Sequence, residues 1–263
     1  TLQMQSSYHL LILADVAYFT VVSFVASQKN DFDTFVIRLN KSRGFCSTNR
    51  CRKFDGEEPP TWTISALETY NNTSGASPVH CSNKTVNATL ELKPILTQLD
   101  RFWPSYTTES NIPLWQNVFR KYGTCAMLDK NASLTTPLQY FNKTLELYQH
   151  YNVSDWLSRA NITQSNTKPV SLVNLTMAAN KGFPGDATFF CAGTRKENKS
   201  ILVQVGLRFD THYTPKKCNL SIPNGLQNCT ELEWYLKSSS ATALPGTLLL
   251  FAGAIIALFM VKN

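Results

Sequence analysis

Leu114 to Cys125, L-W-Q-N-V-F-R-K-Y-G-T-C, is the stretch whose reading decides what this chain can be. Leu114 to Tyr122 reads as a helix, and Gly123 stands where a glycine C-cap would end it. Trp115 supplies a packing ring, and Cys125 places a thiol just past the helix end. Asn117 and Lys121 are one helical repeat apart and so share a face.

Outward from that helix, apolar spacing predicts further helices over Leu90 to Phe102, stopped by Pro104, and over Pro137 to Tyr151. Two shorter ones are expected over Asp155 to Arg159 and Ser171 to Lys181, entered through the cap-like residues Ser154 and Ser171. Strands are expected on both sides of this helical block. Asp33 to Asn40 and Thr61 to Leu67 precede it, with Pro59 and Pro60 setting the second entry. Ala187 to Ala192, Ser200 to Phe209 and Glu231 to Leu236 follow it. Cys46 and Cys51 sit in a polar loop, close enough to bridge each other, and Asn71 to Lys84 is a loop containing Cys81. Strands, then helices, then strands predict an α+β fold: a central antiparallel sheet with several flanking helices, disulfide-linked.

The whole chain of 263 residues is 43% hydrophobic, enough for a real core, and carries a net charge of +7. Its Lys and Arg residues are scattered, with no dense run, which disfavours a dedicated nucleic-acid patch. Residues 1–27 end in an apolar run and read as a signal peptide; residues 28–237 form the body. Residues 238–263 hold small residues from Ser238, a spacer, and the apolar run Leu248 to Val261. That run is shorter than the ~20 residues of a spanning helix. It predicts a GPI-attachment signal with Ser238 as the lipid-anchor residue, or else a short membrane anchor. N-x-S/T sequons stand at Asn71, Asn83, Asn87, Asn131, Asn142, Asn152, Asn161, Asn174, Asn198, Asn219 and Asn228. One more, at Asn72, overlaps Asn71, so at most one of the two is used. Together with the 7 cysteines, these signals predict a glycosylated, disulfide-bonded protein at the extracellular face of the plasma membrane, or secreted.

Five stretches carry a resemblance: F-V-I-R-L-N at 35–40, T-W-T-I-S-A-L-E-T at 61–69, R-F-W-P-S-Y at 101–106, the opening stretch, and T-F-F-C at 188–191 ahead of V-Q-V-G-L-R-F. In that order they resemble the ribonuclease T2 family, the secreted acid and S-type ribonucleases. The resemblance covers roughly residues 31–236. It implies RNA cleavage through a 2′,3′-cyclic phosphate, with one histidine as base, another as acid, and a Glu–Lys pair on the developing phosphorane charge. Carried over residue by residue, the first-motif histidine falls on Ser65. The second-motif histidine falls on Asn117, the glutamate on Val118, the lysine on Lys121 and the last histidine on Tyr122. Ser, Asn and Tyr do not exchange protons usefully near neutral pH, where imidazole does. Glu68, where the family has tryptophan, is expected to set negative charge where a phosphate or base would lie. The resemblance also implies Cys81–Cys125, with Cys46–Cys51 and Cys191–Cys229 as the other pairs and Cys218 free. The rival pairing, Cys191–Cys218 with Cys229 free, stays open.

These positions predict a member lacking the catalytic histidines: a pseudo-ribonuclease kept for binding an extracellular ligand, monomeric, membrane-attached through its C-terminal anchor, without cofactor or metal. The alternatives are a divergent but active endoribonuclease using Lys121 and Tyr122, and an unrelated surface adhesion or receptor domain. RNA remains a doubtful partner, with Trp103, Trp115 and Lys121 as the groups that would stack and attract it. None of the 4 histidines, His9, His80, His150 and His212, occupies a motif position.

Overall fold

The structure is a computed structural model that describes residues 31–54, 58–128, 134–165, 167–193, 200–217 and 227–228. The leader expected at 1–27, the anchor expected at 238–263 with Ser238, the strand expected at Glu231 to Leu236, Cys218, Cys229 and the sequons at Asn131, Asn198 and Asn219 lie outside them. Asn228 is described in its backbone only.

Five strands form one antiparallel sheet: β1 (Thr34–Lys41), β2 (Trp62–Tyr70), β3 (Ala187–Gly193), β4 (Ser200–Phe209) and β5 (Gln227–Asn228), in the order β2-β1-β4-β3-β5. β1 pairs on both sides and is buried along its whole length. Its alternation sends Phe35, Ile37 and Leu39 into the apolar core. Val36, Arg38 and Asn40 take the opposite face, in register with Arg208, Gly206 and Gln204 of β4. That second face is polar yet buried, with Arg38, Asn40, Gln204 and Arg208 all removed from solvent.

The helices are α1 (Ser42–Thr48), α2 (Ala88–Glu91), α3 (Leu96–Phe102), α4 (Ile112–Val118), α5 (Thr124–Ala126), α6 (Pro137–His150), α7 (Val153–Arg159) and α8 (Leu172–Gly182). α6 starts in a capping box between Thr136 and Gln139. Its buried stripe includes Tyr140, Phe141 and Leu145. Two of its tyrosines bind it to β2: the Tyr140 hydroxyl donates to the Leu67 carbonyl at 2.7 Å and Tyr148 to the Trp62 carbonyl at 2.8 Å. Ser171 caps α8 as its sequence suggests, whereas α7 begins earlier than expected and is capped by Asn152 rather than Ser154.

Three elements differ from expectation, each for a local reason. The helix expected over Leu90 to Phe102 is broken into α2, a 3-10 turn at Lys93–Ile95 and α3. Pro94 cannot continue a helix but is tolerated in the first turn of a new one. Leu90, assigned to the buried stripe by spacing, is 70% exposed in consequence. The loop of Cys46 is instead helix α1, pressed onto β4 so closely that a Cβ on Gly44 would fall on the Leu202 carbonyl oxygen. The chain after Val118 does not end in a glycine cap. It runs through a π turn, Phe119–Gly123, straight into α5, and Gly123 has helical angles, φ −60° and ψ −37°. Gly123 is there for space: a Cβ would fall on the buried Phe119 ring.

Disulfides join Cys46 to Cys51 and Cys81 to Cys125. Cys191 is also disulfide-bonded, and both candidates for its partner lie outside the described residues.

Candidate active site

Of the positions singled out by sequence, Ser65, Glu68 and Tyr122 lie where the π turn packs against β2. Ser65 is the extra residue of a β-bulge: Leu39 pairs with Ile64 and Arg38 with Ala66, leaving Ser65 without an opposite number. Such a bulge reverses the strand's parity and re-aims one side chain. It sends Ile64 to the core and puts Glu68 on the face of Arg38. Two indoles connect the motifs behind it. Trp103 Nε1 donates to the Ser65 carbonyl at 3.2 Å, and Trp115 Nε1 donates to the Trp103 carbonyl at 2.9 Å.

These indoles correct an expectation. Trp103 is 0% and Trp115 1% exposed, so neither can stack on a nucleotide base. Both serve as scaffold, and of the three groups expected to hold RNA only Lys121 reaches the surface.

Glu68 also behaves differently from its reading in sequence. Its carboxylate receives Arg38 Nε at 2.9 Å, across a diagonal of the β1–β2 pair, and the Tyr122 hydroxyl donates to it. The Arg38 guanidinium in turn lies 4.7 Å over the Phe190 ring. The negative charge of Glu68 is thus compensated inside the protein, and is not offered to a ligand. Burial first, then the adjacent Glu68 carboxylate, push the Tyr122 phenol well above its ordinary range, against the smaller opposing pull of Arg38. Tyr122 consequently holds its proton more tightly than a free tyrosine does.

The remaining positions are spread apart. Val118 is part of the hydrophobic core cluster. Asn117 is exposed and accepts a hydrogen bond from Arg120 Nη2 at 3.2 Å. Lys121 Nζ stands 4.7 Å over the Tyr122 ring. Val86, Asn87, Pro113, Gln116, Asn117 and Arg120 line a groove of about 620 Å³ on the outer side of α4.

Sequence reasoning missed two participants. Arg38 reads as one charge in an apolar strand, and its partner is thirty positions away. His80 was placed only in a loop; the structure puts its amide 2.9 Å from the Lys121 carbonyl, beside the Cys81–Cys125 bridge, with φ at 57°. Among the described residues, no cluster of His, Cys, Asp and Glu could hold a metal ion.

The family model described as Ribonuclease T2 family matches residues 32–218. Ribonuclease DdI of Dictyostelium discoideum is 26% identical over 193 residues, covering 73% of this chain and 83% of that protein. Intracellular ribonuclease LX of Solanum lycopersicum is 26% identical over 212 residues, covering 79% and 85% respectively. Among solved structures, RNase NT in complex with 5′-AMP superposes with a TM-score of 0.67 at 23% identity, over 78% of this chain and 98% of that one. Human RNase T2 superposes with a TM-score of 0.64 at 19% identity, over 78% and 98%.

Proposed function

The chain belongs to the ribonuclease T2 family, and from that premise we propose that it is a catalytically silent member, a pseudo-ribonuclease that works by binding. The observation that carries this reading is the Arg38–Glu68–Tyr122 cluster. By the family resemblance, Tyr122 stands where the last histidine of the second motif belongs. Here its hydroxyl donates to a half-buried, ion-paired carboxylate, and the raised phenol keeps its proton through neutrality. Ser65 and Asn117 supply no titrating group at the two histidine positions, and Val118 is turned into the core. The same facts weigh against a divergent active enzyme built on Lys121 and Tyr122.

We further propose that the protein follows the secretory route, is N-glycosylated, and is held at the outer face of the cell through Ser238 and the apolar tail. Its ligand there is an extracellular molecule other than RNA, bound by a monomer. Family membership alone is compatible with more than one address, since one relative is named intracellular. Release of the protein from cells by a phosphatidylinositol-specific phospholipase is the outcome that supports the GPI anchor; retention favours a short spanning helix.

The deciding experiment is cleavage of single-stranded RNA by the purified glycoprotein between about pH 4 and 8, where family-type acid–base catalysis would operate. The expected result is no turnover above buffer. Robust turnover abolished by Asn117→Ala or Lys121→Ala would overturn the reading. Restoring imidazole at both positions, Ser65→His with Asn117→His, is expected to raise cleavage by about 10²-fold, the lower end of what positioned acid–base groups contribute.

A further inference from the structure

We propose that Asn87 carries an N-linked glycan whose first sugars lie in the groove beside Asn117, so that the chain's own carbohydrate fills this side of the former catalytic helix. The inference rests on the secretory reading above and says what occupies the groove.

The structure separates the sequons by what their amide nitrogens do. Asn72 Nδ2 donates to Asp33 Oδ1 at 2.9 Å and to Thr34 Oγ1 at 2.5 Å, so a sugar there would break both bonds. A further sequon, Asn40-Lys41-Ser42, lies in β1, where Asn40 is buried and accepts from Gln204 Nε2. Asn87 is the opposite case. It is exposed, and it is the N-cap of α2. Its Oδ1 accepts from the Leu90 amide at 3.3 Å and from the Thr89 hydroxyl at 2.9 Å. Its backbone amide donates to Glu91 Oε1 at 2.7 Å. The cap fixes the side chain through its oxygen, and Nδ2 makes no hydrogen bond among the described residues. Glycosylation at Nδ2 therefore leaves the cap intact.

Asn87 is also part of the groove wall, so a glycan attached to it starts inside the groove. The chemistry of the lining suits a sugar. N-acetylglucosamine has an apolar ring face and a rim of hydroxyl and acetamide groups. Pro113 presents apolar surface, while Gln116, Asn117 and Arg120 present amide and guanidinium donors. The volume falls within the ~300–1,000 Å³ range of small-ligand sites. Tethering makes the contact intramolecular, so a weak preference for the groove is enough to seat the sugar. In the attachment step, one Nδ2–H bond is replaced by a bond from Nδ2 to the anomeric carbon of a lipid-pyrophosphate-linked oligosaccharide. The lipid pyrophosphate leaves with the electron pair of the broken C–O bond, and the amide proton is lost to the transferase.

The test is site-resolved glycopeptide mass spectrometry of the full chain produced in a eukaryotic cell, followed by native endoglycosidase release. Asn142 and Asn152, both exposed, are the comparison sites. Asn87 is expected to be occupied, with less trimming than at Asn142. Release is expected to be about tenfold slower than at Asn142, as for a glycan seated nine-tenths of the time, with the difference lost after denaturation. Thr89→Ser is expected to keep this glycan and Thr89→Ala to remove it alone. Asn87 bare while Asn142 and Asn152 are occupied overturns the proposal, as does release at the Asn142 rate. A chain bare at every sequon overturns the secretory reading itself, and this inference with it.

Discussion

Replacing Tyr122 by phenylalanine removes the hydroxyl that faces Glu68 and leaves the ring in place. The expected cost is about 1 kcal/mol, the net worth of one ordinary hydrogen bond. Removing the carboxylate instead, by Glu68→Ala, strands the Arg38 guanidinium, which is only 3% exposed and whose Nη1 already makes no hydrogen bond among the described residues. Breaking a buried pair from one side costs about 3–5 kcal/mol, and the lower end is expected here because Glu68 is partly exposed. Urea unfolding of the two variants orders them; a Glu68→Ala protein as stable as Tyr122→Phe would show that Arg38 does not depend on the pair. At this scale the sequence showed which residues occupy the motif positions, because those are read one at a time. It could not show that Glu68 is compensated. That depends on a bulge at Ser65 that flips Glu68 onto the face of Arg38, and no local pattern announces a bulge.

The opening stretch is a helix only up to Val118; its second half is a π turn that places Phe119 in the core and Tyr122 against the edge of β2. Turns of this kind are frequent at functional sites. Gly123 was legible as special but not for the right reason. Its small size lets the Phe119 ring, packed against Tyr140 and Phe141, lie across the backbone. Gly123→Ala is thus expected to cost about 1–3 kcal/mol by overpacking, although alanine is the better helix former. Thermal denaturation decides between the two, because helix propensity alone predicts a gain. The bridge at the end of this element closes a loop of 44 residues, and loop-entropy arithmetic assigns it about 4 kcal/mol. Cys81→Ala with Cys125→Ala should lower stability by that order in a non-reducing urea titration. A loss below about 1 kcal/mol would mean that the backbone bond from His80 to Lys121 already holds the loop. Element types in the helical block and the strands were legible because long periodic segments announce themselves. The break at Pro94 and the docking of α1 were set by one proline and one missing Cβ.

Across the whole molecule, two kinds of buried group titrate in opposite senses above neutral pH. Lys41 is fully buried at the end of β1, with Nζ donating to Gln164 Oε1 at 2.9 Å. Burial, with Arg43 adding to it, brings its ammonium from 10.5 down to about 8. Between those values the unfolded chain binds a proton that the folded chain has lost, so stability rises with pH, by about 3 kcal/mol at full titration. The tyrosines act the other way. Tyr106 and Tyr148 are pushed up to about 12, and Tyr122, Tyr140 and Tyr151 are also raised above 10.0, each chiefly by burial. Above their unfolded value the folded chain keeps phenolic protons that the unfolded chain releases, and stability falls as pH climbs further. The two slopes cross near pH 10, so the protein should be more stable at about pH 9.5 than at about 7.5 and should lose stability steeply by about 11. Urea midpoints at those three conditions test the curve, and Lys41→Met isolates its first limb. The variant should lose the rise between pH 7.5 and 9.5 and keep the alkaline fall. A wild-type curve already descending from about pH 8 would mean that Lys41 stays charged in the fold, with its burial fully compensated by its partners.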